Sequence, residues 1–345
     1  MALQNMIFEL TGNAPGIDAA YAKTLIQEAW ADVRRLGGWS FQLQETGFTV
    51  PGAFGQGTVT LTFGSPTVIA DANATTAWTT PGIGSQYGSL ITQRQFRSGG
   101  TSGAGTMYDI VALDTVTYAP FAAITLNRPF TDPLTSYTAP VMEQKYFVYQ
   151  PYIVTPVKDF RRWLTVLDIA NSAWLWTRGD RRIVSTVEDP QRQIFANPDR
   201  LLALGQDTRA NSSTTGWERY ELWPGPQNQF LYQVWYERFG ADLVALTDEL
   251  PVPISESMVK ARARCRAYEQ AEANKNPENP RGVGADFRFL MQEAQKQYEW
   301  QLRKTRQRDR DACEMFFTTM RRVQGGYAPL PSTYANGVLR GQIGV

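Results

Sequence analysis

The sequence predicts an α+β protein: an antiparallel helical bundle with an inserted small β barrel or sandwich domain, then a C-terminal β-hairpin plus a long helix. Three observations carry this expectation. Residues 18–36 and 285–324 repeat apolar side chains at helical spacing. Residues 46–157 shift to Thr, Gly, Ser, Tyr and Val with few charges and frequent turn residues. Residues 220–236 alternate apolar and polar side chains across a Pro224-Gly225-Pro226 break, the period-two pattern of two half-buried strands joined by a turn. The expected organisation is an N-terminal helix of the bundle (1–45), an inserted β domain (46–157), a mixed loop and β-hairpin region (158–254), a helical hairpin of the bundle (255–325) and an extended C-terminal arm (326–345).

In chain order, Tyr21, Leu25, Ala29, Val33 and Leu36 form one face of the first helix. Asp18 stands at its start, Arg34 and Arg35 at its end, and Gly37-Gly38 stops it. Candidate strands follow at 58–63, 67–70, 89–94, 108–113, 123–126 and 146–149, separated by Gly-, Pro- and Asn-rich turns. The charged stretch 180–205, with Pro190 and Pro198 around Ile194-Phe195, reads as a loop with one short helix, and 206–216 as polar loop. After the 220–236 strands, Leu243, Leu246 and Leu250 lead through Pro251 and Pro253 to Ser255, an N-cap for a helix with Val259, Ala263, Ala267 and Ala271 on one side. Asn276-Pro277-Glu278-Asn279-Pro280 separates this from the last helix. The stripe of that helix runs Phe287, Leu290, Met291, Ala294, Tyr298, Leu302, Thr305, Ala312, Phe316, Met320 and Val323, with a polar interruption near Asp309. Such a helix would reach about 55–60 Å at ~1.5 Å per residue.

Composition narrows the chemistry. The 345 residues carry 34 Lys and Arg against 33 Asp and Glu, so no global field selects a polyanion or a cation. There is no histidine, which removes Ser-His-Asp and Cys-His catalysis and the commonest metal ligand. Cys265 and Cys313 fall inside helical patterns and read as small buried hydrophobes. The N-terminus lacks a secretory pattern, and no apolar run is long enough to span a membrane. The near-neutral surface shows no self-complementary apolar stripe, so isolated subunits are expected to stay monomeric.

The Gly-rich stretch 98–106 is followed by neither Gly-Lys-Ser/Thr nor a helix start, so it reads as a loop rather than a phosphate cradle. Asp109 with Asp114, or Glu218 with Glu221, could be imagined as a glycosidase pair, and Trp174 and Trp176 as a sugar-stacking surface; strand carboxylates and core aromatics are the commoner readings. The basic run Arg303, Lys304, Arg306, Arg308, Arg310 is denser than an ordinary solvated face. It suits either ion pairs within or between subunits or contact with phosphates. The arm, with Tyr327, Leu330, Tyr334, Val338, Leu339 and Ile343, is poor in charge. It suits either docking along a partner or a frayed terminus.

Several stretches resemble the head-to-tail connector (adaptor) proteins of tailed bacteriophages, the tail tubular protein A type among them. They are Glu221-Leu222-Trp223-Pro224-Gly225-Pro226; Val234-Trp235-Tyr236-Glu237-Arg238; Asp242-Leu243 through Asp248-Glu249-Leu250-Pro251-Val252-Pro253; Gly37-Gly38-Trp39-Ser40-Phe41; Asp159-Phe160-Arg161-Arg162; and, in the β domain, Thr58 to Trp78, Met107 to Asp114 and Ile124 to Phe130. The resemblance implies a structural virion protein without enzymatic activity, cofactor or metal. It also implies a twelve-membered ring beneath the portal protein that extends the DNA channel and offers a docking surface to a downstream tail or nozzle protein. The implied location is the virion neck, after assembly in the host cytoplasm, with non-specific contact to passing double-stranded DNA and none with membrane. The basic run is then a subunit-interface or channel-facing candidate, and the arm a portal-docking candidate. The alternative from another class is a carbohydrate-binding or hydrolytic tail component built on the β domain, with the helices as an oligomerisation stalk.

Overall fold

The computed structural model describes residues 3–13, 18–50, 52–79, 94–99, 107–131, 141–150, 152–179, 195–207, 215–226, 228–273 and 287–323. The expected helical bundle with a small insert is overturned. Strands dominate the N-terminal and central parts, and the fold is a mixed α+β arrangement of several sheets with five helices among the described residues. Two compact units are present, one from residues 1–44 and 236–345 and the other from residues 45–235.

The first unit holds the helices α1 (Leu3–Asn13) and α2 (Ala19–Leu36). The second holds α3 (Ala72–Thr79). The first unit continues with α4 (Glu256–Ala273) and α5 (Phe287–Val323). The Asp18 carboxylate accepts the Tyr21 amide at 2.7 Å and caps α2, as its position suggested. α1 was not foreseen. Leu3, Met6, Ile7 and Leu10 are buried against α2 and α4, a short apolar face with no charged counterface to reveal it. α4 buries Val259, Ala263 and Ala267 but also Ala261 and Cys265, so it is covered on more than one side by close-packed neighbours. α5 runs antiparallel to it, since Glu272 meets Arg288, Tyr268 stacks on Phe287 and Arg262 lies over Tyr298.

In the second unit, a seven-stranded sheet has the order Val141–Gln144, Val59–Leu61, Thr67–Ala70, Ala123–Leu126, Met107–Asp114, Gln95–Ser98, Tyr146–Tyr149. The first and last strands are one extended stretch broken only at Lys145, so the sheet must curl until both edges meet that stretch. Inside lie Val68, Phe96, Tyr108, Ile124, Phe130, Tyr146 and Val148, with Trp78 of α3 donating Nε1–H to Tyr146 Oη at 3.0 Å.

One sequence expectation fails here, and two others fall partly outside the described residues. Residues 220–236 are not a hairpin. Glu218–Trp223 pairs with Arg200–Gln206 and Tyr152–Val154, whereas Phe230–Arg238 joins a different sheet beside Leu43–Val50 and Phe160–Asp168. The Pro224-Gly225-Pro226 break explains the divergence, because two prolines remove ladder donors and Gly225–Pro226 pairs in parallel with Phe195–Ala196 instead. Within 180–205, the described part is strand at Phe195–Ala196 and Arg200–Gln206, with Leu201 and Leu202 fully buried; residues 180–194, the rest of the stretch in which a short helix is expected, lie outside the described residues. The strand expected at 89–94 is Gln95–Ser98, with 89–93 outside the described residues.

Candidate functional site

Three of the segments that drew the resemblance, at residues 37–41, 237–238 and 242–253, meet in one joint within the helical unit, while the others lie in the second unit. α2 ends where Gly37 and Gly38 both take φ of 67°, a conformation that costs glycine nothing and turns the chain sharply. The turn leaves the carbonyls of Gly37 and Gly38 pointing away from the helix, and Arg306 of α5 answers both, donating at 2.7 Å and 3.0 Å. Its guanidinium also lies 3.6 Å from the ring centroid of Trp39, which is fully buried. One helical turn further along α5, Asp309 accepts the Ser40 amide at 2.9 Å and the Ser40 hydroxyl, so it caps the short 3-10 helix Ser40–Gln42 from a distant part of the chain. The polar interruption of the α5 stripe is therefore a buried carboxylate, 2 % exposed.

The same joint takes up the aromatic strand and the acidic loop. The buried Glu237 carboxylate accepts the Gly38 amide at 2.8 Å. Gln42, also buried, donates to the carbonyls of Arg34 and Phe239, both at 3.0 Å. Residues 240–248 are pinned along the helices: the carbonyls of Gly240, Ala241 and Leu243 accept from Arg34, Trp30 and Gln27, and Arg34 also pairs with Asp242. Asp248 folds the loop on itself by accepting the Val244 and Ala245 amides at 2.7 and 2.8 Å. The carbonyls of Leu246 and Asp248 hold the first turn of α1. Behind the joint, Asp32 binds Arg262 and Arg266, and Glu28 binds Arg266. Burial raises the Asp32 carboxyl, but hydrogen bonds from Arg266 and Arg262 outweigh it and hold the group below its ordinary 3.8.

These are structural roles, and no family model or curated protein matches the chain.

The basic run divides in two. Arg306 belongs to the joint, and Arg310 pairs with Glu314 at 2.6 Å along the helix. Arg303, Lys304 and Arg308 are exposed; Lys304 lies 4.8 Å from the Trp300 ring centroid, and none of the three forms an ion pair among the described residues. The five residues do not share one environment, because successive positions on a helix point in different directions. The arm residues Tyr327, Leu330, Tyr334, Val338, Leu339 and Ile343 lie outside the described residues.

The imagined carboxylate pairs are occupied by local structure. Asp109 accepts from Gln95 at 2.9 Å and from Asn127, while Asp114 folds the turn at Val116 and Thr117. The hydrogen bonds from Thr117 and Val116 lower the Asp114 carboxyl, the wrong direction for a general acid. Glu218 accepts the Tyr220 hydroxyl at 2.8 Å, and Glu221 is buried. Cys313, beside the Gly38 carbonyl and Asp309, is pushed up to about 12, chiefly by burial and then by the Asp309 charge. Such a thiol is not a nucleophile. Among the described residues there is no group of acids and cysteines that could hold a metal ion, and no helix is long and apolar enough to cross a membrane.

Proposed function

We propose that this chain is a structural subunit of a tailed-bacteriophage neck: a head-to-tail connector that rings the exit of the portal, continues the DNA channel and receives the tail. One observation carries the reading. Three of the stretches that resemble the connector motifs, at residues 37–41, 237–238 and 242–253, hold the helical unit together, with Trp39, Glu237, Asp242 and Asp248 each given a specific partner. A set of motif residues spent on buried caps and clamps supports a scaffold whose shape is its function rather than an enzyme. The ring, its twelve copies, the virion location and the portal and tail partners belong to this proposal.

A connector must let a polyanion slide, so mixed charge lining the channel and no sequence-specific grip are expected. The test is negative-stain microscopy of the purified protein mixed with portal rings. Added density of matching rotational symmetry beneath the portal is the expected result; a protein that neither binds portal nor forms rings sinks the proposal. Removing residues 327–345 should leave thermal unfolding unchanged and weaken co-purification with portal. Undiminished co-purification would remove the docking role of the arm.

A further inference from the structure

The helical unit carries two exposed faces that the joint does not use. The first lies on α5. Phe289, Trp300 and Met315 are 63 %, 57 % and 71 % exposed. At 3.6 residues per turn they fall with Lys304 within roughly an 80° sector away from the buried stripe of Ala294, Tyr298, Thr305 and Asp309, a sector that takes in the exposed Glu293 and Asp311 towards its two ends. Lys296, Arg303 and Arg308 flank them, also exposed. Lys304 and Arg308 stand four residues apart, a like-charge spacing that disfavours an isolated helix. Aromatic, Met and Arg side chains together are the composition of an interface core rather than of a solvated face.

The second face is the pinned loop. Phe239, Val244, Leu246 and Val252 are 40 %, 63 %, 48 % and 86 % exposed. The stretch 239–252 contains Asp242, Asp248 and Glu249 and no Lys or Arg. Its backbone is already fastened through the carbonyls of Gly240, Ala241, Leu243, Leu246 and Asp248, so little ordering entropy remains to be lost on binding. An apolar surface held rigid in water, rimmed by one sign of charge, marks a contact site.

The middle of the first face, from Lys296 to Arg308, presents Trp300 with Lys296, Arg303, Lys304 and Arg308 against the one acid Glu299, so it opposes the acidic loop in charge, and the two lie on different parts of the same unit. We infer that they are the two halves of one head-to-tail contact between copies of this chain, α5 of one subunit lying against the 239–252 loop of the next. Because the halves differ, the contact is heterologous and repeats from copy to copy, closing into a ring or running on as a filament according to the rotation per step. The inference rests on the ring reading and supplies its interface. It departs from the expectation that isolated subunits stay monomeric, and the association of the wild type decides between the two.

Complementary charge reversal tests it. One variant carries Arg303→Glu, Lys304→Glu and Arg308→Glu. The other carries Ala245→Lys, Thr247→Lys and Glu249→Lys, which leaves the Asp242 and Asp248 anchors in place. Far-UV circular dichroism and thermal unfolding establish that both fold. In sedimentation velocity over a concentration series, the wild type should self-associate in a salt-sensitive way. Each variant alone should associate about tenfold or more weakly, since like charges then face each other. An equimolar mixture should associate again, because every contact between unlike variants is complementary. Trp300→Ala should weaken wild-type association without changing its salt dependence. Folded variants that associate like the wild type, or a mixture that does not recover, overturn the inference. Portal-templated rings that survive the α5 reversal overturn it while leaving the connector reading standing, whereas a wild type that neither self-associates nor rings on portal sinks both. If the α5 reversal abolishes binding to a short DNA duplex but leaves self-association intact, the face belongs to phosphates and the subunit contact is refuted.

Discussion

Arg306 and Arg303 sit one helical turn apart with the same side chain and opposite consequences. Arg306 makes two charge-assisted hydrogen bonds to the Gly37 and Gly38 carbonyls and stacks on Trp39; Arg303 faces solvent. Arg306→Ala should therefore cost about 2–4 kcal/mol in denaturant unfolding, because it also orphans two carbonyls. Arg303→Ala should stay within about 0.5 kcal/mol. Equal effects would show that the joint does not hold α5. Carboxylates set the acid limit. Burial raises the Asp71 carboxyl, but the hydrogen bonds from the Ala74 amide and from Thr58 win, so Asp71, like Asp32, is lowered from 3.8 in the folded state. A lowered folded value contributes stability that is present above the unfolded pKa and lost as pH falls through the folded one. Stability should be level above pH 5 or so and decline below about 3.8, and Asp32→Asn should flatten part of that decline. A melting temperature that falls equally in wild type and Asp32→Asn would argue against the Asp32 share.

At the scale of elements, the curled sheet depends on close backbone approach around its closing strand. A Cβ on Gly55 would come 2.3 Å from the Tyr146 carbonyl oxygen, and one on Gly57, where φ is +79°, would meet the Ala74 amide nitrogen and Asp71 Oδ1, both at 2.5 Å. Both clashes are with atoms already engaged, so relaxation is blocked. Gly57→Ala should lower stability by about 2 kcal/mol or more, against a few tenths for Gly64→Ala beyond the shared positive-φ strain, since Gly64 faces open space. Similar melting temperatures for the two variants would remove the packing part of this account. Tyr146 Oη accepts from Trp78 and donates to the Gln56 carbonyl at 2.6 Å, so Tyr146→Phe should cost about 1–3 kcal/mol by leaving two buried groups unpaired. In α5, the same burial that raises Cys313 should keep it unalkylated by iodoacetamide at pH 8 until the protein unfolds. Rapid native-state labelling would show that the α5 joint opens.

For the whole molecule, chain order and spatial grouping part company. Residues 1–44 and 236–345 build one unit, while 45–235 builds the other, so the helical unit must close a loop of nearly two hundred residues, a separation that favours its assembly late in folding. That ordering predicts that substitutions in the joint, such as Asp309→Ala, will slow refolding less than they speed unfolding, because contacts between sequence-distant segments form late. Stopped-flow chevrons measure both limbs; a dominant effect on the folding limb would place the joint in the nucleus instead.

Periodicity and punctuation were enough to determine several elements. Asp18 and Gly37-Gly38 bracket α2, the alternation in 67–70, 123–126 and 146–149 marks strands that form there, and the apolar stripe of α5 runs nearly end to end. These are local signals, written by side chains within a few positions of each other. Partnership was not legible. That Phe230–Arg238 leaves Glu218–Trp223 for another sheet, that one stretch at 141–149 pairs with both ends of the curled sheet, and that Arg306 rather than Arg303 is a clamp all depend on residues tens to hundreds of positions away. A proline-rich break permits divergence without dictating where the strand goes, and a helix repeats every 3.6 residues whichever side finds a neighbour. Only the folded arrangement selects among those options, because burial and hydrogen-bond satisfaction are settled between segments rather than within them.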